Sequence, residues 1–389
     1  MSFSRLPDDL RTLRQQGLLR RRRVVEGPQG AALRVDGADC LSFCSNDYLG
    51  LASHPALIDA ACAGAGRYGV GAGASHLIVG HGEAHHRLER ELAEFVGLPQ
   101  ALLFSSGYLA NLGVVSALLG RNDAVFADKL NHASLNDAAL LSRAEFLRYG
   151  HGDLARLERM LAASPRRRKL VVTDAVFSMD GDIAPVAQLL ALCERHDAYL
   201  MLDDAHGFGL LGQGGRGVLE HFSVSSPRIV YMATLGKAAG VFGAFVAGSP
   251  ELIETLVQRA RSYVYTTALP PLLASALSAS LGLIRAEGWR RTHVRQLTAY
   301  LRDNLKLGRW RLMPSETPIQ PLLVGPNRET LALAEALLQR GIMVPAIRPP
   351  TVPKGQARLR ISLSAAHRVE HVERLVQALR ALEASLPAP

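Results

Sequence analysis

Tyr199-Leu200-Met201-Leu202-Asp203-Asp204-Ala205-His206-Gly207 runs a short apolar stretch straight into two aspartates, a histidine and a glycine. Such a run reads as a buried strand whose end opens onto a turn carrying chemistry. The same pattern recurs on both sides of it. Residues 101–104 lead into Ser105-Ser106-Gly107-Tyr108, 124–128 into Asn131-His132, 170–173 into Asp174 and then Ser178, and 229–233 into Thr234-Leu235-Gly236-Lys237. A further apolar run covers 242–247. Helical patterns lie between, at 109–119 and at 185–196, where Pro185 suits a first helical turn. Upstream, Leu88, Leu92, Phe95 and Val96 repeat at helical spacing and Gly97 is placed to end that helix. Strands alternating with helices predict an α/β fold, a mostly parallel central sheet with helices on both faces.

The rhythm changes toward the C-terminus. Runs at 319–324 and 342–344 flank a helix at 329–339, a strand at 358–363 follows, and a last helix starts near Val369. The predicted organisation is an N-terminal arm (1–45) with a strand pair around 32–43, a large α/β domain (46–285) and a smaller C-terminal α+β domain (286–389). No internal repeat or low-complexity tract interrupts it.

Composition sets the outer limits. The 389 residues are 48 % hydrophobic and 20 % charged, as in a folded globular protein. Four cysteines (Cys40, Cys44, Cys62, Cys193) form no CxxC pair, which argues against a zinc ribbon or a thioredoxin-type motif. Nothing resembles a secretory signal, and residues 268–284, with two prolines and three serines, fall short of a membrane span. A cytoplasmic protein is expected. The net charge of +9 is concentrated early, with seven arginines in the first 23 residues against Asp8 and Asp9. That arm could be a solvated helix face, a nucleic-acid arm, a transit peptide or a partner for a phosphorylated small molecule. No aromatics interleave the arginines, and the acidic pair is unlike a transit peptide.

The polar groups at five strand ends carry the functional reading. In an open parallel sheet, ligands bind beyond the carboxyl ends of the strands. Ser105–Gly107 before a helix presents free N–H groups suited to a phosphate, although a plain helix cap would look the same. His132 could be a half-buried structural histidine, and Asp203 a cap. Lys237 is harder to explain that way, since it is the only charge between Arg228 and Glu251, in a run of small and apolar residues. Burial disfavours the ammonium form and turns a lysine into a nucleophile or a base. A desolvated lysine, an aspartate at another strand end and a phosphate cradle together point to a Schiff base with pyridoxal 5'-phosphate, whose ring nitrogen needs an acidic partner. Two other patterns carry less. Gly69, Gly71 and Gly73 misplace the third glycine of a dinucleotide fingerprint. His81, His85 and His86 could put a metal pair on a helix face, but no third ligand is obvious, and no metal is expected.

Along nearly its whole length the chain resembles the α-oxoamine synthases of the fold-type I (aspartate aminotransferase-like) pyridoxal-phosphate transferases. The resemblance is carried by Asn46-Asp47-Tyr48-Leu49-Gly50, by the central Asp203–Gly207 run, by Thr234-Leu235-Gly236-Lys237 and by the more widely shared Val176-Phe177-Ser178-Met179-Asp180-Gly181-Asp182. It implies that Lys237 holds the cofactor and serves as acid and base, that Asp203 pairs with the ring nitrogen, and that His206 bonds the phenolic oxygen. His132 would stack on the ring and help position substrate. Gly107, Tyr108 and Thr234 would hold the phosphate, with Ser178 beside the ring. Arg348 would grip the amino-acid carboxylate, assisted by Asn46, and Arg20 and Thr351 would contact the acyl-CoA. Ile347-Arg348-Pro349-Pro350-Thr351-Val352-Pro353 is most similar to the biotin-pathway member. That likeness implies decarboxylative condensation of L-alanine with pimeloyl-CoA, or its carrier-protein thioester, by a homodimer. The glycine- and acetyl-CoA-using 2-amino-3-ketobutyrate ligase is the alternative within the family. An inactive structural subunit, which would be expected to lack Lys237, and a basic nucleic-acid-binding protein are the alternatives outside it.

Overall fold

The computed structural model describes residues 3–386. It divides into two compact units, Leu49–Ser178 with Ile183–Arg291, and Met1–Tyr48 with Met179–Asp182 and Thr292–Pro389.

The first unit is built on a seven-stranded sheet: β1 (Gln100–Phe104), β2 (Ala124–Asp128), β3 (Glu145–Tyr149), β4 (Lys169–Asp174), β5 (Tyr199–Asp203), β6 (Ile229–Thr234) and β7 (Ala244–Gly248). Their spatial order is β1-β7-β6-β5-β4-β2-β3. The pairs β2–β3, β2–β4, β4–β5 and β5–β6 are parallel, whereas β7 runs antiparallel to both β1 and β6. Six strands therefore end at one edge, as expected for a mostly parallel sheet. Two features differ from the sequence expectation. The antiparallel β7 starts at Ala244 rather than at 242, because Phe242 lies in the turn after β6 and is half exposed. The strand β3 was not foreseen, since an edge strand with exposed Glu145 and Arg148 lacks the continuous apolar run of its neighbours.

Register then fixes chemistry. Asp174 lies opposite Asp203, and Asp203 opposite Met232, so the ends of β4 and β5 are level and β6 runs on to Thr234. One face of the sheet is anchored by Val125, Val172, Met201, Val230 and Val246, all at most 1 % exposed. Each such fully buried side chain contributes on the order of 1.5–3 kcal/mol. Helix α1 (Glu83–Val96) ends at Gly97, which takes the left-handed conformation at φ 74° as foreseen. Helix α2 (Gly107–Leu118) is capped by Ser106, whose Oγ accepts the Leu109 N–H at 3.2 Å. Helix α3 (Ala133–Ser142) starts after His132, whose ring accepts the Ser134 N–H. The turn carrying Lys237 closes at Gly240, φ 71°, where an added Cβ would lie 2.7 Å from the Ala52 backbone nitrogen. Only glycine lets those two backbones meet.

The second unit holds two four-stranded sheets. One orders Val25–Glu26, Ala32–Val35, Ala38–Ser42 and Ile342–Met343, so the expected strand pair near the N-terminus is joined by a C-terminal strand. The other orders Arg311–Leu312, Ile319–Gly325, Ala357–Ser362 and Ala346–Ile347. Helices Asn327–Leu338 and Val369–Ala384 cover a core that includes Phe43, Trp310, Leu322, Leu359 and Leu375. The arginine-rich arm contains a helix, Leu6–Gln15, with no buried residue, and Asp8 and Asp9 sit in its first turn, where the helix dipole favours them. Among the described residues no helix is long and apolar enough to cross a membrane.

Candidate active site

The carboxyl edge of the large sheet gathers the strand-end residues singled out by the sequence. Lys237, in the turn between β6 and β7, places its Nζ 2.8 Å from His206 Nε2 in the turn after β5. Asp203, 4 % exposed at the end of β5, accepts hydrogen bonds from Asn111 Nδ2 at 2.8 Å and from the Ala205 N–H at 3.1 Å. The same Asn111 amide nitrogen lies 2.8 Å from Ser134 Oγ, which in turn lies 2.7 Å from His132 Nδ1. The backbone N–H of His132 donates to Asp174 Oδ2 at 2.6 Å. A continuous hydrogen-bonded chain thus runs from Asp174 through His132, Ser134 and Asn111 to Asp203.

Electrostatics separates these groups. Burial, with the Lys237 charge adding to it and the Asp203 charge opposing it, lowers the His132 imidazolium below the ordinary histidine range, so the ring is neutral near pH 7. Burial and then the facing Asp203 charge push the Asp174 carboxyl well above the usual range. Asp204 turns away from the cluster. Its Oδ2 accepts from the Val218 N–H at 2.7 Å and from the Tyr231 hydroxyl at 2.8 Å, and burial pushes its carboxyl up to about 7. Asp203 is therefore the aspartate of the pair that belongs to the cluster.

The remaining residues expected in this unit fall at the same edge. Gly107 and Tyr108 are the first residues of α2, whose leading N–H groups have no partner within the helix. A Cβ at Gly107 would lie 3.8 Å from the Thr234 Cβ, so the first turn of α2 adjoins the end of β6. The Thr234 hydroxyl donates to Gly243 O at 3.0 Å, and the Tyr108 hydroxyl is bonded to Asp137. Ser178 follows the short stretch after β4 and is half-buried. These residues fit pyridoxal phosphate: an amine for the aldehyde, a carboxylate for the ring nitrogen, a neutral imidazole, and helix-start amides beside a hydroxyl for the phosphate. The fit rests on one observation above the others, the buried Asp203 carboxylate held by a neutral amide rather than by a cation.

In the second unit Arg20, Arg348 and Thr351 line one cavity of about 60 Å³ with Leu18, Ala346 and Ile347. Arg20 Nη2 donates to Thr351 Oγ1 at 3.3 Å, and Arg348 Nη1 donates to Gly17 O. Arg348 Nε is buried without a hydrogen-bond partner, and no acidic residue lines the cavity. Two guanidinium groups without a carboxylate make an anion site. The side-chain oxygen of Asn46 accepts from Arg360 Nη1 and from the Tyr48 hydroxyl, both at 3.1 Å.

Sequence reasoning missed Asn111 and Ser134. The available signal was a lone amide in an otherwise apolar stretch of α2, which local pattern alone does not connect to Asp203.

Residues 38–379 match the family described as aminotransferase class I and II. The 8-amino-7-oxononanoate synthase of Nitrosospira multiformis is 63 % identical over 378 residues, covering 97 % of this chain and 96 % of that protein. Among solved structures, a serine palmitoyltransferase from S. paucimobilis with a bound PLP–myriocin aldimine superposes with a TM-score of 0.91 at 28 % identity, covering 97 % of this chain and 96 % of that one. The 8-amino-7-oxononanoate synthase of Francisella tularensis gives a TM-score of 0.76 at 31 % identity, covering 89 % and 97 %. The chain belongs to the class I and II aminotransferase family, with the fold-type I architecture expected from its sequence.

Proposed function

Starting from that membership, we propose that this chain condenses L-alanine with pimeloyl-CoA, or with the pimeloyl thioester of a carrier protein, to give 8-amino-7-oxononanoate, carbon dioxide and free thiol. The observation that carries the reading is the Lys237–His206 pair at 2.8 Å beside the Asn111–Asp203 contact, at the carboxyl edge of the sheet. The high identity to a protein of that name supplies the substrate class.

Pyridoxal phosphate, when bound, supplies a sink for the electron pair left at the amino acid's α-carbon. Lys237 would hold the cofactor covalently through its Nζ. As the acid and base of the site, the Lys237 Nζ takes the α-proton and returns a proton after carbon dioxide leaves. Asp203 keeps a proton on the ring nitrogen, and the Asn111 amide orients that carboxylate. His132, neutral at pH 7, would offer the ring an uncharged surface, and His206 would offer it a hydrogen bond. Gly107, Tyr108 and Thr234 would hold the phosphate, and Ser178 would contact the ring. Arg348, with its unpartnered Nε, grips the substrate carboxylate, with Asn46 assisting, and Arg20 and Thr351 contact the phosphorylated carrier. The exposed Val70, Ile78 and Val79, each more than 70 % accessible, suit a second copy of the chain, and we read the working form as a cytoplasmic homodimer.

The test is thiol release by purified holoprotein. Alanine plus pimeloyl thioester should turn over, and glycine plus acetyl-CoA should give little. The reverse pattern would make the chain a ketobutyrate ligase and retire the biotin-pathway reading.

A further inference from the structure

Away from the cluster around Lys237, a π-helical turn, His76–Gly80, leads directly into α1 and brings four histidines together. Its tightness is set by Gly80, where a Cβ would lie 2.1 Å from the Ala74 carbonyl oxygen. The hydrogen bonds of each ring settle what it can do. His85 is fully used, since the Gly82 N–H donates to its Nδ1 at 3.0 Å and its Nε2 meets Leu269 O. It therefore carries its proton on Nε2 and has no lone pair to give. His81 is different. Its Nδ1 lies 3.0 Å from His76 Nδ1, and a proton on His81 Nδ1 leaves Nε2 as a bare lone pair. That Nε2 faces Glu89 Oε2 at 3.8 Å. Glu89 Oε1 is occupied by the Leu103 N–H at 2.9 Å, which fixes the carboxylate and leaves Oε2 toward the histidine.

His86 and Glu89 stand three residues apart on α1, so they share a helix face. One ring nitrogen each of His81 and His86 and one Glu89 carboxylate oxygen converge within 4.8 Å of one another. From this geometry we propose a divalent transition-metal site, of the zinc class, formed by His81, His86 and Glu89. The sequence showed the histidines but no third ligand; Glu89 is that ligand, brought in by the helix and held by the backbone of β1. Two imidazoles and one carboxylate are borderline ligands that suit zinc rather than calcium or magnesium. Tetrahedral bonds of ~2.0–2.2 Å need donor atoms about 3.4 Å apart, so the His81–Glu89 pair is nearly in place and exposed His86 closes by side-chain rotation. The fourth position faces a cavity of about 460 Å³ that His81, His86 and Glu89 line with Arg90 and Glu254, leaving room for water or an exogenous ligand. His76 is the outer partner. It stacks on Tyr263, with ring centroids 4.8 Å apart, and when His76 Nδ1 accepts the shared proton from His81 Nδ1 the His81 Nε2 is left to ligate. Bound metal would tie the glycine-rich turn before α1 to the helix itself.

The experiment uses tag-free holoprotein, stripped with a chelator and equilibrated against buffered zinc, with bound metal counted by mass spectrometry. The expected result is one saturable zinc per chain. His86→Ala and Glu89→Gln should each weaken it at least about 100-fold, beyond the ~10–100-fold that losing an outer partner costs. His76→Phe, which keeps an aromatic ring against Tyr263 but not the hydrogen bond, should weaken it ~10–100-fold. Cobalt(II) in place of zinc should give the visible absorption of a tetrahedral site, lost in His86→Ala. Zinc uptake equal in wild type, His86→Ala and Glu89→Gln would overturn the site. Unchanged affinity in His76→Phe would overturn the tautomer assignment.

Discussion

Replacing Asp204 by asparagine isolates the energetic consequence of burying the second aspartate of the pair. The Asp204 carboxyl is fully buried, and its pKa rises from 3.8 to about 7, with burial the largest cause. Between those two values the folded protein keeps a proton that the unfolded chain has released. Stability contributed by this group therefore falls as pH rises through the interval. A shift of that size corresponds to about 4 kcal/mol in total, at about 1.4 kcal/mol per pH unit. Asp204→Asn removes the titration while leaving an oxygen to accept from Val218 and Tyr231. Any constant loss from weaker hydrogen bonds offsets the variant equally at every pH and leaves the slope untouched. The assay is thermal unfolding of wild type and variant, both saturated with cofactor, at pH values spanning the interval and above it. The Tm difference should move in the variant's favour by roughly 2 °C per pH unit and level off above about pH 7. Turnover should persist, because Asp204 faces Val218 and Tyr231 rather than the cluster. A difference flat across the whole range would show that Asp204 stays ionised in the folded protein and would refute the burial argument.

Borohydride treatment of the holoprotein should fix the chromophore to Lys237, and Lys237→Ala should bind cofactor weakly without multiple turnovers; a label on Lys129 or Lys169 would relocate the site. Asn111→Leu should weaken cofactor binding, followed by absorbance titration, by roughly 10- to 150-fold, since a hydrogen bond to a charged group contributes ~1.5–3 kcal/mol; unchanged affinity would mean that Asp203 needs no orienting partner. Arg20→Ala should raise the KM for the acyl thioester and leave that for alanine alone, as expected for a contact made equally in ground and transition states. Equal effects on both substrates would point to a folding defect.

The parallel strands and their chemical ends were legible in the sequence because each buried strand is a short apolar run and each run stops at a turn residue with a functional group. What was not legible depends on partners far away in the chain. The direction of β7 is invisible in Ala244–Gly248, whose residues would read the same in either sense. The edge strand β3 mixes exposed and half-buried positions and so imitates a loop. Asp203 could be picked out beside Asp204 only through the resemblance. The structure separates them by giving Asp204 to Val218 and Tyr231 and Asp203 to Asn111. Likewise His81, His85 and His86 look alike as letters, and only the Leu269 carbonyl and the Gly82 amide remove His85 from the set of available ligands.

The antiparallel β7 also sets an order of events during synthesis. Strand β1 lies at one end of the sheet, and its only strand partner among the described residues is β7, with Gln100 opposite Gly248. At ~5–20 residues per second, β1 leaves the ribosome roughly ten seconds before its partner does. Throughout that interval its backbone N–H and C=O groups form an open template for a strand from another chain. The turn bearing Lys237 is the last piece made before β7, so the emergence of the lysine and the closure of that edge are nearly simultaneous. A nascent chain interrupted after Thr234 would display an apolar, unpaired β1 and no Lys237, a species for chaperones to hold rather than a partial enzyme.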